Sequence, residues 1–230
     1  MTNIEIFIEN FITYGGYKDY LEGLTNTAII AVFGLLIGFV IGCIIATVKI
    51  IPQKNLLLKI VERLFDGYIA LFRGTPMVVQ LLLMHFALFP ALGLDIPSVT
   101  EAVIIFGFNS GAYMAEILRS GINAVDVGQM EAGRSLGFGF VSTMIRIILP
   151  QAIKNILPTL GNEFIALIKE TSVVSFIAVL DLTKSLQNIA NSTYEYFVPY
   201  IVLALTYLIL VLGITALIKV MERRLARSER

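Results

Sequence analysis

GLTNTAIIAVFGLLIGFVIGCIIATV, residues Gly23 to Val48, runs between Glu22 and Lys49 without a single charge. A helix needs about 20 largely apolar residues to cross a bilayer, so this stretch alone reads as a membrane span. Two more stretches pass the same test, Gly74 to Leu94 between Arg73 and Asp95, and Tyr196 to Ile218 between Glu195 and Lys219. Ser98 to Gly121 is nearly as apolar and carries Glu101 at one end and Glu116 near the other, while Ile156 to Leu180 is long enough but interrupted by Glu163, Lys169 and Glu170. Across all 230 residues, 57% are hydrophobic and 15% charged, against roughly 45–50% and about 25% in soluble domains. Seventeen basic residues balance seventeen acidic ones, which leaves no excess of cations to neutralise phosphates and argues against nucleic-acid binding. One Cys, Cys43, and one His, His85, exclude a disulfide framework and a Cys/His metal site.

The interrupted stretch is decided by the distribution of Lys and Arg, which collect on cytoplasmic loops. Lys49, Lys54, Lys59 and Arg63 follow the first span; Arg119, Arg134, Arg146 and Lys154 lie between the third and fourth; Lys219, Arg223, Arg224, Arg227 and Arg230 follow the last. Only Lys18 and Lys184 are left for the outside. Without a crossing at 156–180 the basic tail would lie outside, against the rule. The expectation is an all-α membrane protein of five transmembrane helices, at about 23–48, 74–94, 98–121, 156–180 and 196–218, with the N-terminus outside and the C-terminus cytoplasmic. Residues 23–222 form one transmembrane domain and 223–230 a basic tail. Residues 1–22 place Ile4, Phe7, Ile8 and Phe11 at helical spacing between polar residues, which fits a helix lying in the outer interface as well as a frayed end. Tyr14 to Gly23 and Asp181 to Glu195 read as loops or short surface helices.

Gly34, Gly38, Gly42 and Ala46 recur every four residues, so one face of the first span is bare enough for another helix to approach closely. Arg73-Gly74-Thr75-Pro76 reads as a helix start or kink, with Thr75 as cap and Pro76 at the first helical position. His85 fits a neutral ring satisfied by a neighbour. On the third span Asn109, Tyr113, Glu116 and Ser120 return to one face. On the fourth, Thr159, Asn162, Glu163, Ala166, Lys169 and Glu170 do the same. Ionisable groups at membrane depth are costly unless they face a cavity or a partner, so this face is a candidate site; salt bridging near the helix ends is the plainer reading. Between these spans, Glu131 to Pro150 (EAGRSLGFGFVSTMIRIILP) is a poor span on the basic side. Gly137 can end one short helix and start the turn to another, giving either a docking hairpin or a merely structural one.

At this stretch the sequence resembles the permease subunits of bacterial ATP-binding-cassette importers, whose coupling loop follows E-A-A, three residues, G, nine residues, I-x-L-P. Glu131, Ala132, Gly137, Ile147, Leu149 and Pro150 stand at those spacings. Gly133 replaces the third small residue, Ala, a change that keeps small size and loosens the first turn. FRGTP at Phe72 to Pro76 followed by Gln80, SGAYMAEILRSGI from Ser110, and LPQAIKNILPTLGNEFIALIKETS from Leu149 narrow the resemblance to the polar amino acid permeases.

The resemblance implies a type I importer permease fold that pairs with a second permease, itself or a close relative. Each copy would dock through Glu131, Ala132, Gly133, Gly137, Ile147, Leu149 and Pro150 onto a cytoplasmic ATPase dimer, and an extracellular solute-binding protein would deliver the amino acid. ATP and Mg would be bound by that ATPase. The chain itself has no phosphate loop of the G-x-x-x-x-G-K-[ST] type, and no cofactor or metal is expected in it. The substrate role passes to Asn109, Ser110, Tyr113, Glu116, Asn162 and Glu163. Buried carboxylates favour a cationic cargo such as Arg, Lys or His. The competing class is a stand-alone proton-coupled amino acid carrier using Glu163, Glu170 and His85, although five spans cannot form two equal inverted halves. A scaffold without transport would leave the polar face unexplained.

Overall fold

The computed structural model describes residues 2–52 and 55–227. Lys54 and the last three residues of the expected basic tail lie outside the described residues. No strand occurs among the described residues. The helices are α1 (Asn3–Ile8), α2 (Gly16–Ile50), α3 (Leu56–Gly74), α4 (Met77–Ala91), α5 (Ser98–Asn123), α6 (Val127–Ser135), α7 (Phe140–Thr143), α8 (Leu149–Glu170), α9 (Leu182–Thr193) and α10 (Phe197–Arg227).

The small-residue face of α2 finds its partner in α5. Gly34 meets Phe106, Gly38 meets Ser110 and Gly42 meets Met114, so the two helices run parallel and in register. A Cβ at Gly38 would lie 2.6 Å from that of Ser110, and one at Gly107 2.6 Å from Ile37. Close backbone approach of this kind is how membrane helices gain contact without a hydrophobic driving force. Because α2 and α5 point the same way, the chain must return between them. It does so through α3 and α4, with α4 antiparallel to α5: Gln80 meets Asn109 and His85 meets Glu101. Helix α8 is antiparallel to α5 as well, with Ile156 against Gly121 at one end and Leu167 in the cluster of Ala102, Ile105 and Phe106 at the other. Helix α10 turns back again, placing Ile218 against Gly161.

Several segments differ from expectation. Residues 56–74, read only as a basic stretch after the first span, form the amphipathic helix α3, and α3 and α4 meet at 108°. The break follows from Pro76, which drives Thr75 into extended backbone (φ −122°, ψ 146°). Thr75 does not cap α4; its hydroxyl donates back to Leu71 O at 2.8 Å and closes α3. Helix α2 begins at Gly16, because Gly15 takes φ +81° and reverses the chain directly before it. The fourth helix starts at Leu149, with Pro150 in its first turn, and tightens to a 3-10 helix over Thr171–Ile177. By length and apolarity Gly16–Ile50, Phe140–Ile177 and Phe197–Arg223 could each cross a membrane, and the bent pair would make a fourth. Glu101, Asn109, Glu116 and Arg119 keep α5 less apolar.

The amphipathic α9 closes one end of the bundle, burying Leu182, Leu186 and Ile189. Asn26 donates to Leu180 O at 2.9 Å, Leu182 N donates to Thr27 Oγ1 at 3.3 Å, and Gly23 lies directly under Asp181 O. Helix α1 reaches the same end, where Asn3 donates to Glu195.

Candidate functional site

Arg73, Tyr113, Glu116, Ser120, Asn155 and Thr159 line a cavity of about 410 Å³ between the end of α3, α5 and α8. Glu116 is its most heavily partnered group. Arg119 Nη2 and Nε donate to its two oxygens at 2.7 and 3.3 Å, and Lys49 Nζ and Arg73 Nη1 each stand 3.8 Å away. Lys49 also lies 2.6 Å from Asp66. The Arg73 guanidinium sits 5.4 Å from the centre of the Tyr113 ring, within cation–π range.

The six residues expected to bind substrate divide into two groups. Tyr113 and Glu116 face the cavity, and Asn162 and Glu163 follow Thr159 along the same side of α8. Asn162 is exposed and Glu163 half-buried. Among the described residues Glu163 has neither a hydrogen-bond nor an ion-pair partner. Asn109 and Ser110 lie behind this wall. Asn109 is 4% exposed and donates from Nδ2 to Gln80 Oε1 at 2.9 Å. Ser110 is fully buried against Gly38 and its hydroxyl has no partner.

Gln80 is a residue that residue-by-residue reading passed over. Its Nε2 is 2.8 Å from Phe72 O, 3.0 Å from Thr75 O and 2.8 Å from Thr75 Oγ1, all acceptors at the chain break. Carbonyls freed by a broken helix must be satisfied within the protein at membrane depth, and one buried amide does this while its oxygen ties the break to α5. The available signal was a long polar residue one turn after Pro76 in an otherwise apolar run. His85, on α4, is bonded through Nδ1 to the buried Glu101, which supplies the neighbour that a lone membrane histidine requires.

The Glu131 to Pro150 stretch forms a helical hairpin. Helix α6 ends in a Schellman arrangement, in which Phe138 N donates to Gly133 O and Gly137 N to Arg134 O, with Gly137 at φ +87°. Gly133 is buried, and a Cβ there would lie 2.5 Å from Thr143 Cγ2 and 3.1 Å from Ile147 Cδ1. The replacement of Ala by Gly therefore lets α6 close onto the following turn. Glu131 and Ala132 are exposed, as are the apolar Leu136 (76%) and Val141 (65%). Ile147 is half-buried against Gly133, and Leu149 and Pro150 open α8. Among the described residues no group of His, Cys, Asp and Glu could hold a metal ion.

The arginine transport system permease protein ArtQ of Bacillus subtilis (strain 168) is 38% identical to this chain over 209 residues, 91% of this chain and 93% of that one. GlnP of Rickettsia bellii (strain RML369-C), named for glutamine transport, is 42% identical over 208 residues, 90% of this chain and 93% of that one. The crystal structure of an amino acid ABC transporter with histidines superposes at a TM-score of 0.83 and 42% identity, covering 94% of this chain and 97% of that one. The family described as the binding-protein-dependent transport system inner membrane component matches residues 38–227. The hairpin, the polar cavity and this match agree: the chain belongs to that family, the membrane permease subunits of ATP-binding-cassette importers, in which ATP hydrolysis resides in separate nucleotide-binding subunits.

Proposed function

We propose that this chain forms the translocation pathway of an importer for polar amino acids in a bacterial cell membrane. It crosses five times, the α3–α4 pair counting as one broken span, with α1 outside and the end of α10 in the cytoplasm. The alternating directions of α2, α3–α4, α5, α8 and α10 support that count, and the basic residues support its orientation. The observation that carries the reading is the α6–α7 hairpin, which presents exposed Leu136 and Val141 beside Glu131. Apolar side chains left in water at the tip of a projecting turn are what docking into a partner's groove requires.

A second permease subunit completes the pathway, a cytoplasmic ATPase dimer that binds ATP and Mg grips the hairpins through Glu131, Ala132, Gly133, Gly137, Ile147, Leu149 and Pro150, and an extracellular solute-binding protein delivers cargo. Tyr113, Glu116, Asn162 and Glu163 line the path, with Asn109 and Ser110 acting from behind it. Relatives named for glutamine and arginine transport support an amino acid cargo. A preference for cationic cargo rests on Glu163 and the neighbouring Glu170, since Glu116 already has three cations around it. Vesicles holding the chain with its ATPase and receptor are expected to take up amino acid only with ATP, and Glu131→Ala to move less cargo per ATP hydrolysed. Gradient-driven uptake by the chain alone, without ATP, refutes the proposal in favour of a proton-coupled carrier. So does labelling of Leu136→Cys, in a Cys43→Ser background, by an impermeant reagent from the extracellular side.

A further inference from the structure

We infer that Arg73 receives the α-carboxylate of the amino acid cargo, exchanging its distant approach to Glu116 for a direct pairing. The inference rests on the import reading above and adds to it the part of the cargo that the cavity reads.

Ion pairing around the cavity leaves Arg73 as the spare cation. Lys49 is taken by Asp66 at 2.6 Å and Arg119 by both oxygens of Glu116, whereas Arg73 has only a 3.8 Å approach to an oxygen that Arg119 already holds. The remaining nearby anion, Glu62, lines a separate cavity with Lys49, Arg119 and Asn123. The Arg73 side chain is 44% exposed and opens on the 410 Å³ cavity. A planar guanidinium matches a carboxylate with two parallel hydrogen bonds, which a single 3.8 Å contact does not use.

Its position is also fixed more firmly than a surface arginine's. The carbonyls of Phe72 and Thr75, on either side of Arg73, both accept from Gln80 Nε2, and Gln80 is held in turn by Asn109 on α5. The Tyr113 ring lies against the guanidinium and limits its swing. A side chain anchored at its backbone and braced at its head loses little further entropy on binding.

The opposite pole is on α8. Glu163 stands one turn beyond Thr159, which lines the same cavity. Arg73, Glu163 and Glu170 all lie near enough to Tyr113 to act on its hydroxyl electrostatically, and Arg73 and Glu163 near enough to act on each other. A cation on one side of a tyrosine and the carboxylates of Glu163 and Glu170 on the other complement a zwitterion, its carboxylate at Arg73 and its ammonium at Glu163. Such a site reads the head common to α-amino acids and leaves the cargo side chain to other contacts.

The test uses the assembled permease–ATPase complex without receptor, so that the cavity alone selects. The common amino acids are titrated one at a time by calorimetry, and the best binder is compared with its decarboxylated amine, which differs only in the carboxylate. The wild type is expected to bind the amine at least tenfold more weakly. Arg73→Gln should lose at least tenfold in affinity for the amino acid and bind both ligands alike, with Arg73→Lys between. Equal affinity of the wild type for amino acid and amine overturns the inference without any variant, and so does an Arg73→Gln complex that keeps the wild-type ratio. Binding of no amino acid by the wild type overturns the inference as well, whereas the import reading fails on a different result, the absence of ATP-dependent uptake by vesicles that hold the complex and its receptor.

Discussion

Adding one methyl group to the face where α2 meets α5 measures how far the fold depends on close backbone approach. In Gly38→Ala the new Cβ stands 2.6 Å from both Cβ and Oγ of Ser110 and 3.0 Å from Gly111 N, about 0.8 Å short of ordinary contact. The hydroxyl can rotate away, but Ser110 Cβ and Gly111 N are fixed by the backbone, so the two helices must separate. A gap of 0.5–1 Å forfeits roughly a quarter to a half of each dispersion contact along the seam, and overpacking costs about 1–3 kcal/mol. The better helix propensity of Ala returns roughly 0.5–1 kcal/mol, leaving a net loss of about 1–2 kcal/mol. For a chain of this size that is a fall of roughly 2–8 °C in Tm. Gly42→Ala, whose Cβ would meet Met114 Cβ at 2.5 Å, should behave alike. Together the two should cost less than their sum, since one separation relieves both clashes. Gly213→Ala on α10 meets nothing within 4 Å and should be neutral or slightly stabilising. Thermal melts of the purified protein in one detergent decide the matter: Gly38→Ala and Gly42→Ala proteins as stable as Gly213→Ala would refute the α2–α5 seam.

Gln80→Leu orphans Phe72 O, Thr75 O and the Asn109 amide together, and at about 1–3 kcal/mol for an unsatisfied buried group it should cost roughly 3 kcal/mol or more, read as a lower melting temperature. Gly133→Ala restores the residue usual in the coupling pattern yet should weaken ATPase binding here, because the new Cβ meets Thr143 Cγ2; adding Thr143→Ser removes that methyl and should recover affinity, measured by co-purification. Burial holds the Asp181 carboxyl above its ordinary range, against the pull of the Thr183 and Lys184 backbone N–H groups. The folded chain therefore binds this proton more readily than the unfolded chain, so stability should rise as pH falls from neutral through the raised value and level off near the unfolded value of about 3.9. Asp181→Asn keeps a good N-cap and should lose that increment in melts at stepped pH.

Much of the candidate site was legible because membrane chemistry penalises polar atoms so heavily that their mere presence is a signal. Tyr113, Glu116 and Glu163 stood out on that ground, and Gly137 did so because its left-handed turn ends a helix where the apolar pattern stops. Asn109 and Ser110 show the limit of helical spacing and of motif resemblance. Asn109 shares a face with Tyr113 in projection and Ser110 came from the resemblance, but one is claimed by Gln80 and the other by the bare backbone of Gly38. Spacing reports which residues point the same way, not which neighbour stands there. Arg73 gave no signal of its own, since an arginine before a helix start is ordinary; its interest arises from Lys49, Asp66 and Arg119 taking one another's charges.

The order of residues by itself determined that this chain belongs in a bilayer, which ends of its apolar stretches carry the basic residues, and where the Glu131 to Pro150 hairpin turns, because these depend on transfer free energies and backbone preferences that each segment carries alone. Tertiary structure decided the rest: that the second apolar stretch is broken at Thr75–Pro76 and sealed by one amide, and which of the polar groups on α5 and α8 meet a cavity instead of each other. Hydrogen-bond and charge pairing among residues tens of positions apart depends on where the backbones come to rest, and that is set by the packing of all the helices together.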